Sequence, residues 1–408
     1  MKRSFIYSLI LLIISFTLIF FNFNLIPKNI SFDEIAFTRL ALSLNNSNYI
    51  PYSELATGHS TLYFYIILIS FKIFGISNFA LRLPSAIFGI LSILVFFAIL
   101  KNTFNEVNKP FYSFIGGFIL ITSRWFINFS RFSFEATFLL FIELLSLLFI
   151  LLFIKKKNYL FIFLSGLFAG LSFLSYTPGR IFFLLPAFLL LIKKTKIKYY
   201  FFYFITFIIV SSPLTIYFVK HSDIRFQEIS ILSQKNSIYS KIKMFSENAQ
   251  KTALMFNFKG DLNGRHNFPV KPSFNPILGT FFVIGLIITT KELFKFPNNL
   301  FLFYFILGLV PTFFTLPPDN PNMLRLFTTL PSSIYFVIYG IKNILTVNHK
   351  KYLPYIFVGL IIMSSILELR TYFKYQSRVF RNSFEVKCQI NEVINKIPKR
   401  CLVSKNEF

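Results

Sequence analysis

Apolar runs separated by short polar segments repeat along almost the whole chain: Phe5 to Ile26, Thr61 to Phe74, Phe79 to Leu100, Phe111 to Thr122, Phe134 to Ile154, Tyr159 to Tyr176, Ile181 to Ile192, Tyr199 to Val219, Pro276 to Thr290, Leu300 to Leu316, Leu326 to Val347 and Tyr352 to Leu367. A segment in hydrocarbon has to satisfy its own backbone N–H and C=O groups, so runs of this kind predict helices. The longest reach the roughly 20 residues needed to cross a bilayer. The first run follows Lys2-Arg3 and lacks a small-residue cleavage site after it, which predicts a retained helix rather than a removed signal peptide.

Lysine clusters between the runs set their orientation. They are Lys101 with Lys109, Lys155-Lys156-Lys157, Lys193-Lys194 with Lys196 and Lys198, Lys291 with Lys295, and Lys350-Lys351. Cationic loops stay on the cytoplasmic side, next to anionic lipid. All the clusters join Lys2-Arg3 on that side only if Thr61 to Phe74 does not cross. At about 14 residues it has the length of an interfacial or re-entrant helix. The expectation is an all-α polytopic membrane protein with about 11 transmembrane helices over residues 1–367. Its outer loops fall at 27–78 and 220–275, and a basic tail at 368–408 lies outside.

Composition mainly excludes alternatives. Hydrophobic residues make up 55%, with 60 Phe and 20 Tyr, above the roughly 45–50% of soluble domains. The net charge of +26 would suggest a nucleic-acid partner in a soluble chain, but here the charge sits in loop clusters, so none is expected. Cys388 and Cys401 are too few for a disulfide framework or a zinc site, and their state, paired or free, stays open. No P-loop, GxGxxG, HExxH or GxSxG is present. No motif calls for a cofactor, and a divalent cation is left open.

The candidate chemistry gathers on the outer side. With only 16 acidic residues in the chain, two of them, Asp33 and Glu34, stand together just beyond the first apolar run. A charge near hydrocarbon is costly, so it is seldom there without a role. The other outer polar residues are Glu54, His59, Arg124, Arg131, Glu135, Arg180, Asp261, Arg265, His266, Asp319 and Arg325. ATP and nucleotide sugars are absent outside the cell, so an activated group would have to arrive on lipid.

Five stretches carry a family resemblance: Ser31 to Leu100, SRWFINFSRFSFEATFLL at Ser123 to Leu140, GLFAGLSFLSYTPGRIFFLLP at Gly166 to Pro186, GDLNGRHNFP at Gly260 to Pro269, and PNMLRLFTTLP at Pro321 to Pro331. In this order they resemble the GT-C membrane glycosyltransferases of the family 39 type, the protein O-mannosyltransferase and aminoarabinose-transferase relatives. The resemblance implies a GT-C fold, two juxtamembrane helices in the first outer loop, and inverting transfer of a sugar from a polyprenyl-phosphate donor to an acceptor hydroxyl. It places the enzyme in the plasma membrane with its site outside.

Residue by residue, the resemblance makes Asp33 the general base. Ser31-Phe32-Asp33-Glu34 also reads as a capping box, with Ser31 the N-cap and Glu34 the third helical residue. The box accounts for Glu34 but leaves Asp33 unexplained, and Glu34 stands with Asp33 as a candidate. His59 falls where relatives place a lysine or histidine near the lipid phosphate, although Ser60-Thr61 replaces their following prolines. Arg131 and Arg180 suit phosphate through paired guanidinium hydrogen bonds, against the alternative of snorkelling at helix ends. Glu135 matches a family acid, or pairs with Arg131 across one turn. Arg265, His266 and Arg325 are donor-phosphate or loop-anchoring groups. The rival readings are a transporter or flippase for a polyprenyl-linked glycan, a non-catalytic assembly protein, and, closer among enzymes, an oligosaccharyltransferase, against which the single Trp and the absence of a Trp-Trp-Asp motif count.

Overall fold

The computed structural model describes residues 2–45, 48–104, 109–347 and 350–403. Among them, six helices are long and apolar enough to cross a membrane: Arg3–Phe20, Asn78–Thr103, Ala136–Lys156, Ile197–Lys220, Phe327–Val347 and Leu353–Ser383. Shorter apolar helices occupy Leu62–Phe74, Tyr159–Phe173, Thr177–Ile192, Pro276–Lys291 and Asn298–Phe313, and Lys109–Thr122 is helical as well. Many large apolar side chains face outward on these helices, among them Phe5, Phe16, Ile209, Tyr355 and Ile366. A surface so rich in exposed hydrocarbon belongs against lipid, and the chain is a multi-pass membrane protein.

The bundle is built by packing of neighbouring apolar helices. Asn78–Thr103 lies against Lys2–Phe20, Lys109–Thr122 and Ala136–Lys156; the last packs on Tyr159–Phe173, which packs on Ile197–Lys220. A second group joins Pro276–Lys291 to Leu330–Val347. There the backbones nearly touch, because a methyl on Gly285 would collide with the carbonyl of Phe336. Small residues at such crossings let dispersion act between helices where lipid offers no hydrophobic drive.

The segment 27–78, expected to be the first outer loop, holds the two expected helices, Phe32–Ser43 and Leu62–Phe74. It also holds an element that the all-α expectation lacks, a short antiparallel hairpin pairing Tyr52 with Ser60 and Ser53 with His59. Its turn runs through positive φ at Ala56, Thr57 and Gly58. A side chain at Gly58 would strike the Tyr52 hydroxyl, so glycine is needed both for the dihedral and for the close approach. The 220–275 segment is likewise no simple loop. It contains Ile224–Ile229 and Ile238–Asn257.

The tail is a folded cap. The last apolar helix continues through a π turn at Thr371–Gln376 into Ser377–Ser383. Backbone bridges then join Ile30 to Val386 and Val386 to Leu402, and a disulfide links Cys388 with Cys401. The Asn29 side chain donates to the Arg381 and Phe384 carbonyls, and the Phe32 amide donates to Glu385. The tail therefore clamps the segment that leads into Asp33. The end of the expected tail, 404–408, lies outside the described residues.

Candidate active site

The helix Phe32–Ser43 starts as its sequence predicts. Ser31 caps it and Glu34 closes the capping box. The same geometry removes Glu34 from the candidate chemistry. Its carboxylate is fully buried, Oε1 accepts from Arg82 Nε at 2.7 Å and from the Ser133 amide, and Oε2 accepts from Arg82 Nη2 at 2.9 Å and from the Ser31 amide. With both oxygens engaged in a bidentate buried pair, Glu34 ties the first loop to the helix Asn78–Thr103 and has no face left for a substrate. Asp33 is different: its side chain is 43% exposed and accepts from Arg265 Nη1 at 2.6 Å.

Arg131 is also a structural group. It is fully buried and donates to the carbonyls of Leu18, Ile19, Asn22 and Ile26. Leu18 and Ile19 lie in the last turn of the first helix, whose final carbonyls lack partners within the helix, and Asn22 and Ile26 lie in the turns that follow. The ring faces of Phe23, Tyr372 and Phe373 enclose the guanidinium, so it cannot meet a donor phosphate. The expected one-turn pair between Arg131 and Glu135 does not form. The helix Arg124–Phe129 ends before Arg131 and the next begins at Ala136, so no helical turn connects the two residues.

Glu135 instead meets His59. The contact, Oε1 to Nδ1, is 2.6 Å, and both side chains are buried. On the other side of the ring, Arg225 Nη1 lies 2.8 Å from His59 Nε2. A guanidinium can only donate, so Nε2 carries the lone pair and Nδ1–H donates to Glu135. Burial holds the His59 ring below its ordinary pKa, and Arg225 adds to this against the opposing pull of Glu135. His59 is thus a neutral link orienting Arg225.

Arg225 belongs to a larger cluster drawn from four loop segments. Asp223 caps the helix Ile224–Ile229, accepts from the Tyr52 hydroxyl at 3.0 Å and pairs with Arg180. Burial works to raise the Asp223 carboxyl, but Arg180 and the hydrogen bonds outweigh it and hold the group below its usual range. Arg180 comes from a 3₁₀ turn, Thr177–Ile181. Arg325 arrives from the far loop and reaches Asp319 at 3.2 Å.

Arg180, Arg225 and Arg325 line one cavity of about 340 Å³ whose remaining wall is largely apolar, including Ile229, Leu232, Val310, Pro311 and Phe314. Two of its guanidinium N–H groups, on Arg180 Nε and Arg325 Nη1, are buried without an acceptor among the described residues. Buried donors are rarely left so. The cavity offers charge and unclaimed donors at one end and hydrocarbon along the other, which fits an anion on an apolar tail.

Of the residues picked from the sequence, His59, Glu135, Arg180 and Arg325 come together here. Asp33 and Arg265 form a separate, half-buried pair. His266 is buried and bonded to Asp261 at 2.9 Å, and Asp261 also accepts from the Met323 amide, so His266 anchors the long loop. The sequence alone does not single out Asp223, Arg225, Tyr52 or Arg82. Asp223 was the most legible of these, an N-cap residue opening an apolar turn in a chain with few acids. Among the described residues, no three His, Cys, Asp or Glu side chains converge as a metal set.

Comparison with known proteins agrees with this architecture. Residues 58–217 match the model of the dolichyl-phosphate-mannose-protein mannosyltransferase family. No curated protein matches the sequence. Among solved structures, ArnT from Cupriavidus metallidurans, bound to undecaprenyl phosphate, superposes with a TM-score of 0.56 at 10% identity, covering 92% of this chain and 75% of that one. The archaeal oligosaccharyltransferase AglB from Archaeoglobus fulgidus, in complex with an inhibitory peptide and a dolichol-phosphate, superposes with a TM-score of 0.57 at 14% identity, covering 93% of this chain and 56% of that one. The chain thus spans little more than half the length of AglB. The fold is the GT-C fold.

Proposed function

We propose that this GT-C chain is a membrane glycosyltransferase that takes a sugar from a polyprenyl-phosphate donor and passes it to an acceptor hydroxyl with inversion. The observation that carries the reading is the cavity in which Arg180, Arg225 and Arg325 meet an apolar wall, with two donors unclaimed. A guanidinium forks onto phosphate oxygens, and the apolar wall along Val310, Pro311 and Phe314 suits the first isoprene units. Asp33 is the general base and Arg265 holds it. Relatives of the same fold are known bound to undecaprenyl phosphate and to a dolichol-phosphate. Apart from Glu143, an acid inside the bundle that accepts from the Tyr304 hydroxyl, the buried charges are paired in the loop segments and at helix ends rather than strung along a path through the bundle, which favours transfer over transport.

Replacing Arg180 or Arg225 by Ala is expected to weaken donor use by roughly ten- to a hundredfold, the range for losing a charge-assisted contact. The measurement is KM for a polyprenyl-phosphate sugar with purified protein. Unchanged KM in both variants, or efficient use of a nucleotide sugar without lipid carrier, would overturn the reading.

The site lies on the outer face of the plasma membrane, with the lysine clusters inside. The Cys388–Cys401 disulfide supports this, since such bonds persist in oxidising compartments. Single cysteines at the exposed positions Lys157 and Lys196 should be labelled only from the cytoplasm, and one at the exposed Leu262 only from outside. Labelling of position 157 from outside would invert the assignment.

A further inference from the structure

A second cationic site lies apart from the arginine cavity, between the first outer loop and the folded tail. It is a cleft of about 790 Å³ whose lining includes Leu25, Lys28, Arg378, Phe380, Arg381 and Lys387 and, among the described residues, no acidic one. The stretch from Arg370 to Lys387 carries five cations, Arg370, Lys374, Arg378, Arg381 and Lys387, against one acid, Glu385, whose carboxylate is spent on the Phe32 amide.

Elsewhere in this protein the arginines that hold loops together have partners. Arg82, Arg124, Arg180, Arg265 and Arg325 each face a carboxylate, and Arg131 faces carbonyls. Lys28, Arg378 and Arg381 have no ion-pair partner within 4.0 Å among the described residues. Cations on a free surface separate to lower their repulsion. Here the backbone prevents it, because Asn29 is bonded to the Arg381 and Phe384 carbonyls and Ile30 is bridged to Val386. Two segments more than 300 residues apart in sequence are thus tied together with like charge facing a shared concavity, an arrangement stabilised by an anion. Leu25 on its rim is 60% exposed and Phe21 53% exposed, just past the end of the first apolar helix.

We infer that this cleft binds the phosphate ester of a membrane-anchored molecule, with the cations on the phosphate and Leu25 beside its apolar part. The inference rests on the proposed transfer reaction for its purpose. The cleft borders Asn29, four residues before Asp33, so a bound phosphate-bearing glycan would present its hydroxyls near the base. A bilayer lipid headgroup offers the same chemistry at the same depth.

The test uses the full chain in nanodiscs and the triple variant Lys28→Gln, Arg378→Gln, Arg381→Gln. All three side chains are exposed, and an unchanged unfolding temperature confirms that the variant folds. The probes are phosphatidylglycerol in a phosphatidylcholine background, read by native mass spectrometry, and soluble short-chain polyphosphate, read by calorimetry. Wild type should bind a phosphate probe in preference to phosphatidylcholine, and the triple variant about tenfold more weakly, as a few exposed charge contacts allow. Lys243→Gln, exposed on the helix Ile238–Asn257 and outside both cavities, should bind like wild type. Displacement of phosphatidylglycerol by polyphosphate assigns the cleft to a water-facing acceptor phosphate. Retention of phosphatidylglycerol with no uptake of polyphosphate assigns it to the bilayer headgroup. Equal binding by wild type and the triple variant, or no preference of wild type for either phosphate probe, overturns the proposal. No sugar is transferred in this assay, so its failure is read separately from a failure of the transferase reading.

Discussion

Asp33→Asn is expected to lower turnover by roughly 10²- to 10⁴-fold, the contribution of a positioned general base, while leaving the fold and donor binding intact. The substitution keeps the shape of the side chain and its hydrogen bond to Arg265, and removes the basic carboxylate. The supports of this segment lie elsewhere: the Ser31 cap, the Glu34–Arg82 pair and the clamp of the tail through Glu385. With Asp33 43% exposed, its ion pair contributes at most about 1 kcal/mol to stability. The checks are kcat with a polyprenyl-phosphate sugar and thermal unfolding of the same preparation. A wild-type rate in a well-folded Asp33→Asn protein would take the base away from this residue.

Arg82→Met should instead act on the fold. It strands the Glu34 carboxylate, buried and still held by two backbone amides, without its cation. Breaking a buried pair by removing one partner costs about 3–5 kcal/mol, because the remaining charge is neither solvated nor compensated. The loss should appear in thermal unfolding, and activity should fall with the folded fraction. Adding Glu34→Gln removes the stranded charge, so the double variant should be more stable than Arg82→Met alone. A double variant no better than Arg82→Met would show that packing, not charge, dominates the site.

Much of the architecture is legible from the chain alone, because hydrocarbon imposes a simple rule. A spanning backbone must be helical, so apolar runs and the lysine clusters between them announce the bundle without tertiary knowledge. The Ser31–Glu34 box was readable for the same local reason, since a cap involves residues three apart. Local signals also set the limit. Arg131 and Glu135 are four apart and look like a helical pair, yet the chain breaks helix between them.

What each charge does was decided by tertiary structure. Nothing near Glu34 in sequence announces Arg82, and nothing near His59 announces Glu135 or Arg225, because these contacts join loops that only the packed bundle brings together. Whether an arginine ends on a carbonyl, a carboxylate or an open cavity depends on which loop end stands opposite. That is why Arg131 and Arg180, alike in sequence context, became a helix cap and a cavity wall. The paired cysteines follow the same logic: the composition left them open, and the fold of the tail over Ile30 set them side by side.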